Sequence, residues 1–154
     1  MKHILGFILG ISICTAITTQ GQEANRFEAA ADARGGACRT SSLQGNFIYA
    51  QNGFIISGSE ATQRTPFAQV GRESYDGKGV VTGNYTISQN GKVTRAHYVG
   101  TYSLGSDCIG TVTFTDSAGQ TFHYDIFVAD AGDEFSFIQT DANVVSAAYE
   151  RRKK

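Results

Sequence analysis

The sequence predicts an all-β fold, most simply an antiparallel up-and-down barrel of eight strands, and three observations carry that prediction. Turn-forming clusters recur at regular short intervals: Asp76-Gly77-Lys78-Gly79, Asn90-Gly91, Gly105-Ser106-Asp107, Asp116-Ser117-Ala118-Gly119, Asp130-Ala131-Gly132-Asp133 and Asp141-Ala142-Asn143. Between them apolar and polar residues alternate with a period of two, the pattern of hairpins joined in chain order. Finally, the composition is rich in turn and strand formers, with 18 Gly, 10 Phe and 7 Tyr but a single Pro, and no stretch carries a helical apolar stripe. Closing a meander of eight strands removes both exposed edges. A two-sheet β-sandwich is the alternative.

The length of 154 residues suits one domain, and 41% hydrophobic with 18% charged residues excludes a wholly disordered chain. A net charge of −1 and a pI near 6.3 provide no broad basic field, so nucleic acid is not an expected partner.

The chain opens on Met1-Lys2-His3, an apolar run from Ile4 to Ile17, and polar Thr18-Thr19-Gln20-Gly21. This is the order of a secretory signal peptide, residues 1–21, with small Thr19 and Gly21 before a cut at Gln22. An uncleaved anchor is the alternative, and Ile13 disfavours lipid attachment at Cys14. The expected location is therefore secreted or periplasmic, with no stable membrane span after cleavage. Residues 22–37 read as a flexible lead ending in Gly35-Gly36. Cleavage leaves Cys38 and Cys108. An even count in an oxidising compartment, without the close spacing of a metal or redox pair, predicts one structural disulfide.

The barrel domain is expected over 38–150, with strands near 43–56, 65–75, 80–89, 92–103, 109–115, 120–129, 134–140 and 144–151, and a basic tail at 151–154. Asn90-Gly91 signals a type I′ turn, so Gln89 faces Lys92, Ile87 faces Thr94, Tyr85 faces Ala96, Gly83 faces Tyr98 and Val81 faces Gly100. That face is the inner one. Parity then turns Val112, Phe114, Phe122, Tyr124, Ile126, Val128, Phe135, Phe137 and Gln139 inward, with Leu43, Phe47 and Tyr49 on the first strand and Val145, Ala147 and Tyr149 on the eighth. A three-residue loop at Gly77-Lys78-Gly79 turns Tyr75, Glu73, Gly71 and Gln69 inward; one more residue would turn Arg72, Val70 and Ala68 in instead.

On this assignment all seven tyrosines point inward. Their hydroxyls need partners, found either at wet barrel rims or in a pocket. Tyr85, Tyr98, Tyr124 and Phe137 are the candidate ligand contacts. Glu73, the one inward carboxylate, is a weak candidate for acid–base catalysis, with burial raising its pKa. His123 and Asp125 form an H-x-D on the outer face, with His97 also outside; no third ligand completes a metal site. No hydrolase, phosphate-loop or dinucleotide motif is present, and no cofactor is implied. Asn84-Tyr85-Thr86 is a glycosylation sequon, relevant only in a eukaryotic secretory pathway.

The runs Cys38-…-Ser42-Leu43-Gln44-Gly45-Asn46-Phe47, Val70-Gly71-Arg72-Glu73-Ser74-Tyr75-Asp76-Gly77-Lys78-Gly79, Gly100-Thr101-Tyr102-…-Asp107-Cys108-Ile109-Gly110-Thr111 and Phe137-Ile138-Gln139-Thr140-Asp141 resemble a group of small exported bacterial all-β proteins of unknown function. The resemblance covers the chain from Cys38 onward, implies a bacterial source and the disulfide, and supplies no activity. An apolar residue is usual in that group where Glu73 stands. The hairpin around Gly83 and Tyr85 more loosely resembles avidin-like and lipocalin-like barrels; with no Trp in the chain, biotin binding is not implied. The leading expectation is a non-catalytic binding module for a small hydrophobic or aromatic molecule. The alternatives are a cyclase or isomerase of the allene-oxide-cyclase barrel type using Glu73, by analogy of fold, and a cell-envelope structural or interaction protein with a filled barrel.

Overall fold

The computed structural model describes residues 38–58, 62–129 and 131–154; the predicted signal peptide and lead lie outside them. A short 3-10 turn at Thr40–Ser42 leads into β1 (Gln44–Ser57), β2 (Gln63–Asp76), β3 (Val80–Gln89), β4 (Lys92–Leu104), β5 (Ile109–Asp116), β6 (Thr121–Val128), β7 (Glu134–Gln139) and β8 (Val144–Arg152). Each strand pairs antiparallel with the next and β8 pairs back with β1, so the sheet closes into a barrel rather than a sandwich. Strand ends fall within two residues of their predicted places. Among the described residues no helix is long and apolar enough to cross a membrane.

The turns set the register as their chemistry requires. Asn90 and Gly91 both adopt positive φ, 47° and 82°, the type I′ geometry that matches strand twist. Gln89 accordingly faces Lys92, and the ladder continues to Val81 opposite Gly100. At the β2–β3 turn the Asp76 carboxylate accepts hydrogen bonds from the amides of Lys78 (2.7 Å) and Val80 (2.9 Å). This fixes the three-residue loop, sets Tyr75 opposite Val81, and turns Tyr75, Glu73 and Gln69 into the interior.

Inside, large rings lie over glycines on the neighbouring strand. Tyr49 faces Gly71, Phe67 faces Gly53, Tyr98 faces Gly83 and Phe114 faces Gly100. A Cβ on Gly83 would stand 2.3 Å from the Tyr98 ring and 2.8 Å from the Arg72 carbonyl oxygen. Tyr98 cannot retreat, because it stacks on Phe114 with 4.3 Å between centroids. Gly83→Ala is therefore expected to destabilise the fold by about 1–3 kcal/mol. A glycine without such a neighbour would gain from the same change, so an unchanged or raised urea midpoint would contradict this packing.

One end of the barrel is sealed. Leu43 and Phe47 are fully buried there, Tyr102 donates its hydroxyl to the Leu43 carbonyl at 2.7 Å, and Cys38 is bonded to Cys108 as expected. The expected solvated tail begins later than residue 151, because Arg151 and Arg152 continue β8. Arg152 closes the end: its guanidinium lies over the Phe47 ring, pairs with Asp133 at 2.8 Å and donates to the carbonyls of Gly132 and Gln44.

Strand β8 departs from the predicted facing. Val145, Ala147 and Tyr149 point outward; Val145 and Tyr149 are 57% and 50% exposed. Ser146 and Glu150 are buried in their place, and Ala148 packs against the core. The prediction rested on a three-residue turn at 141–143. In the structure β7 ends at Gln139 and β8 begins at Val144, and Phe137 pairs with Ala148, a shift of one residue that reverses the whole strand. Six of the seven tyrosines therefore face inward, while Tyr149 bonds the surface carboxylate of Glu134.

Candidate functional site

The other end of the barrel is open. The far ends of β1, β3, β5 and β7 and the starts of β2, β4, β6 and β8 surround a cup of about 330 Å³. Its walls carry Ile55, Phe67, Ile87, Phe114, Phe122, Tyr124 and Val144, interleaved with Gln51, Gln69, Tyr85, Asp116 and Gln139, and exposed Arg95 and half-buried Gln89 also line it. Strand alternation brings these polar side chains inward. Most are held by one another, so they present fixed groups rather than mobile ones.

Asp116 illustrates this. Its carboxylate accepts the Tyr85 hydroxyl at 2.9 Å and the amides of Ala118 and Gln120 at 2.8 and 2.9 Å. Burial pushes its pKa up, but these donors push it further down, leaving it below the ordinary carboxylate range. Burial, followed by the bond to Asp116, pushes the Tyr85 phenol up to about 12. On the opposite wall Gln51 donates to Ser146 at 2.9 Å, and Ser146 donates to Gln139 at 3.2 Å. Gln139 donates to Asp141 at 2.9 Å, and Asp141 meets exposed His123 at 2.6 Å. A polar chain thus runs from the interior to the surface.

Beneath the cup lie two buried carboxyls. Glu73 accepts the Tyr75 hydroxyl at 2.5 Å on one oxygen and the Tyr98 hydroxyl on the other. Glu150, fully buried on β8, lies against Glu73. Among the described residues no donor reaches either of its oxygens, and its protonated carboxyl has only Glu73 to donate to. Burial raises both pKa values. The phenols pull Glu73 partly back, whereas the neighbouring Glu73 charge pushes Glu150 further up. Glu73 is thus the better carboxylate, and Glu150 the group that holds a proton. A void of about 10 Å³, room for one water, touches both carboxyls. Gln51, Gln69, Phe114 and Tyr124 line the void as well as the cup, so the two spaces adjoin.

No protein-family model and no curated protein matches the chain. Among solved structures it is similar to a redesigned beta barrel, at 12% identity with a TM-score of 0.48, over 78% of this chain and 100% of that one.

The sequence-predicted contacts divide between these spaces. Tyr85 and Tyr124 line the cup, and Tyr124 and Phe137 line the void below it. Tyr98 lies behind both, stacked on Phe114 and bonded to Glu73. His123 stays on the outer face as predicted, but its partner is Asp141 rather than Asp125. Among the described residues no three metal-ligating side chains cluster. Sequence reasoning missed Gln51, Asp116 and Glu150. Gln51 shares the parity of Tyr49 and could have been read inward. Asp116 was visible as a turn residue alone, and Glu150 was lost with the facing of β8.

Proposed function

We propose that the protein is an exported binding module, akin to the small exported bacterial β proteins it resembles, that takes a small aromatic or largely apolar molecule into the open end of its barrel. The observation that carries this reading is the one-ended cup, about 330 Å³ in volume. That volume falls at the lower end of the range for small-molecule pockets, and a few fixed polar groups among apolar walls are what such pockets use for orientation. Export rests on the signal-like first 21 residues and accords with the Cys38–Cys108 bond. Catalysis by Glu73 has less support, because Tyr75 and Tyr98 occupy both of its oxygens and the adjoining void admits about one water.

The test is a thermal-shift screen with small aromatic and apolar compounds on the wild type and on Ala96→Trp, which places a large ring in the cup from its β4 wall. Binders are expected to raise the wild-type midpoint by a few degrees, as mass action requires at concentrations well above Kd, and to lose that effect in the variant. A screen in which no compound shifts the wild type, or in which the variant responds equally, would overturn the reading.

A further inference from the structure

The ionisable groups inside the barrel are unbalanced. Apart from tyrosines, the buried ionisable side chains among the described residues are three acids, Glu73, Asp116 and Glu150. Every described Lys, Arg and His is exposed except half-buried Arg152, which is engaged at the sealed end, and the one cation that lines the cup among the described residues, Arg95, is itself exposed. Asp116 is satisfied by its donors. Glu150 is not: among the described residues its protonated carboxyl has Glu73 as its only partner, no donor reaches its two buried oxygens, and a buried acceptor left unmet is costly. The groups facing the acid pair are the phenols of Tyr75 and Tyr98 on Glu73, with Tyr49 and Tyr124 nearby. None of these supplies a positive charge.

The void against the pair is the size of one water, which is also about the size of an ammonium group, and it adjoins an aromatic cup. From this we infer that the ligand is an aromatic or aliphatic amine, its ammonium group seated against Glu150 and Glu73 and its apolar body in the cup. The inference rests on the cup being a binding site and names the chemistry of what enters it. The ammonium donates to the unmet Glu150 oxygens and takes the place of the carboxyl proton, which passes to solvent. An anionic ligand would bring a second negative charge against the pair, and a neutral isostere would forgo the charge-assisted bond.

Isothermal titration with 2-phenylethylamine, 2-phenylethanol and 3-phenylpropionate, in two buffers of different ionisation heat, tests this. The amine is expected to bind about tenfold or more tightly than the alcohol, as one charge-assisted hydrogen bond implies, with release of about one proton to the buffer. The carboxylate is expected to bind weakest, and Glu150→Gln to narrow the amine-to-alcohol ratio to about twofold. Proton release is read on the wild type, so it stands even if the variant folds poorly. Alcohol or carboxylate binding as tight as the amine, or amine binding without proton release, would overturn the inference and leave the cup intact as a site. If all three fail, the thermal-shift binders decide: amines among them support the inference, and exclusively neutral or anionic binders overturn it. No binder at all removes the cup reading itself.

Discussion

Glu150→Gln is expected to stabilise the folded protein at pH 7.5 and to flatten its pH dependence. Both buried carboxyls have folded-state pKa values above their unfolded ones, chiefly through loss of hydration. Between the unfolded pKa and the raised folded value, the unfolded chain has released a proton that the folded protein still holds. The contribution of these two groups is therefore greatest below about pH 4.5 and falls as pH rises, by about 1.4 kcal/mol per pH unit for each, whereas Asp76, Asp116 and Asp141, whose pKa values are lowered, act in the opposite sense as pH falls. The substitution removes one titrating group and supplies an amide that can donate to Glu73, with an expected gain of about 1–3 kcal/mol at pH 7.5. At pH 4, where the carboxyl is protonated and resembles the amide, the two proteins should differ little. Urea unfolding at pH 4, 6 and 8 reads this directly. Parallel pH profiles, or a variant weaker at pH 8, would contradict the buried-acid account. A group that costs stability in the free protein is of the kind that folds keep for function, which agrees with its place beneath the cup.

Removing the disulfide should be the most damaging change at the sealed end. The Cys38–Cys108 bond closes a span of 70 residues, and on the chain-entropy model that constraint on the unfolded state stabilises by about 4 kcal/mol. The bond also holds the segment before β1 on the β4–β5 turn, where Cys108 has a positive φ of 65°, a region disfavoured for residues other than glycine. The double variant Cys38→Ser with Cys108→Ser is expected to lose about 4 kcal/mol in urea unfolding. The wild type in reductant should lose a similar amount. A loss below about 1 kcal/mol would mean that Arg152 and the Leu43–Phe47 packing hold that end without the bond.

The turns explain how much of this fold was legible. Asn90-Gly91 admits one register, and every pair from Gln89–Lys92 to Val81–Gly100 forms as its geometry dictates. Asp76-Gly77-Lys78-Gly79 left two registers open, and the bonds from the Lys78 and Val80 amides to the Asp76 carboxylate go with the one that turns Glu73 inward. Strand β8 was not legible, because Val144-Val145-Ser146-Ala147-Ala148-Tyr149-Glu150 offers apolar residues on both parities. Hydrophobicity favours burying Val145, Ala147 and Tyr149, whereas the observed register buries a serine and a glutamate. That choice depends on one residue of turn length, to which the apolar pattern is blind. Of the site, the aromatic part was visible through strand alternation. Its polar part was not: Gln51 and Asp116 look like ordinary strand and turn residues until the barrel closes around them. Tyr98, singled out as a contact, instead fills the space over Gly83 and orients Glu73.

The central claim is that the open end of the barrel holds a small molecule. Native mass spectrometry of the protein purified from the exported fraction of its own cells, compared with its denatured mass, tests that claim most directly. The account predicts extra native mass that disappears on denaturation, is absent from Ala96→Trp and belongs to a small amine. A native mass equal to the denatured mass, in protein that also fails to take up any added aromatic compound, would contradict it.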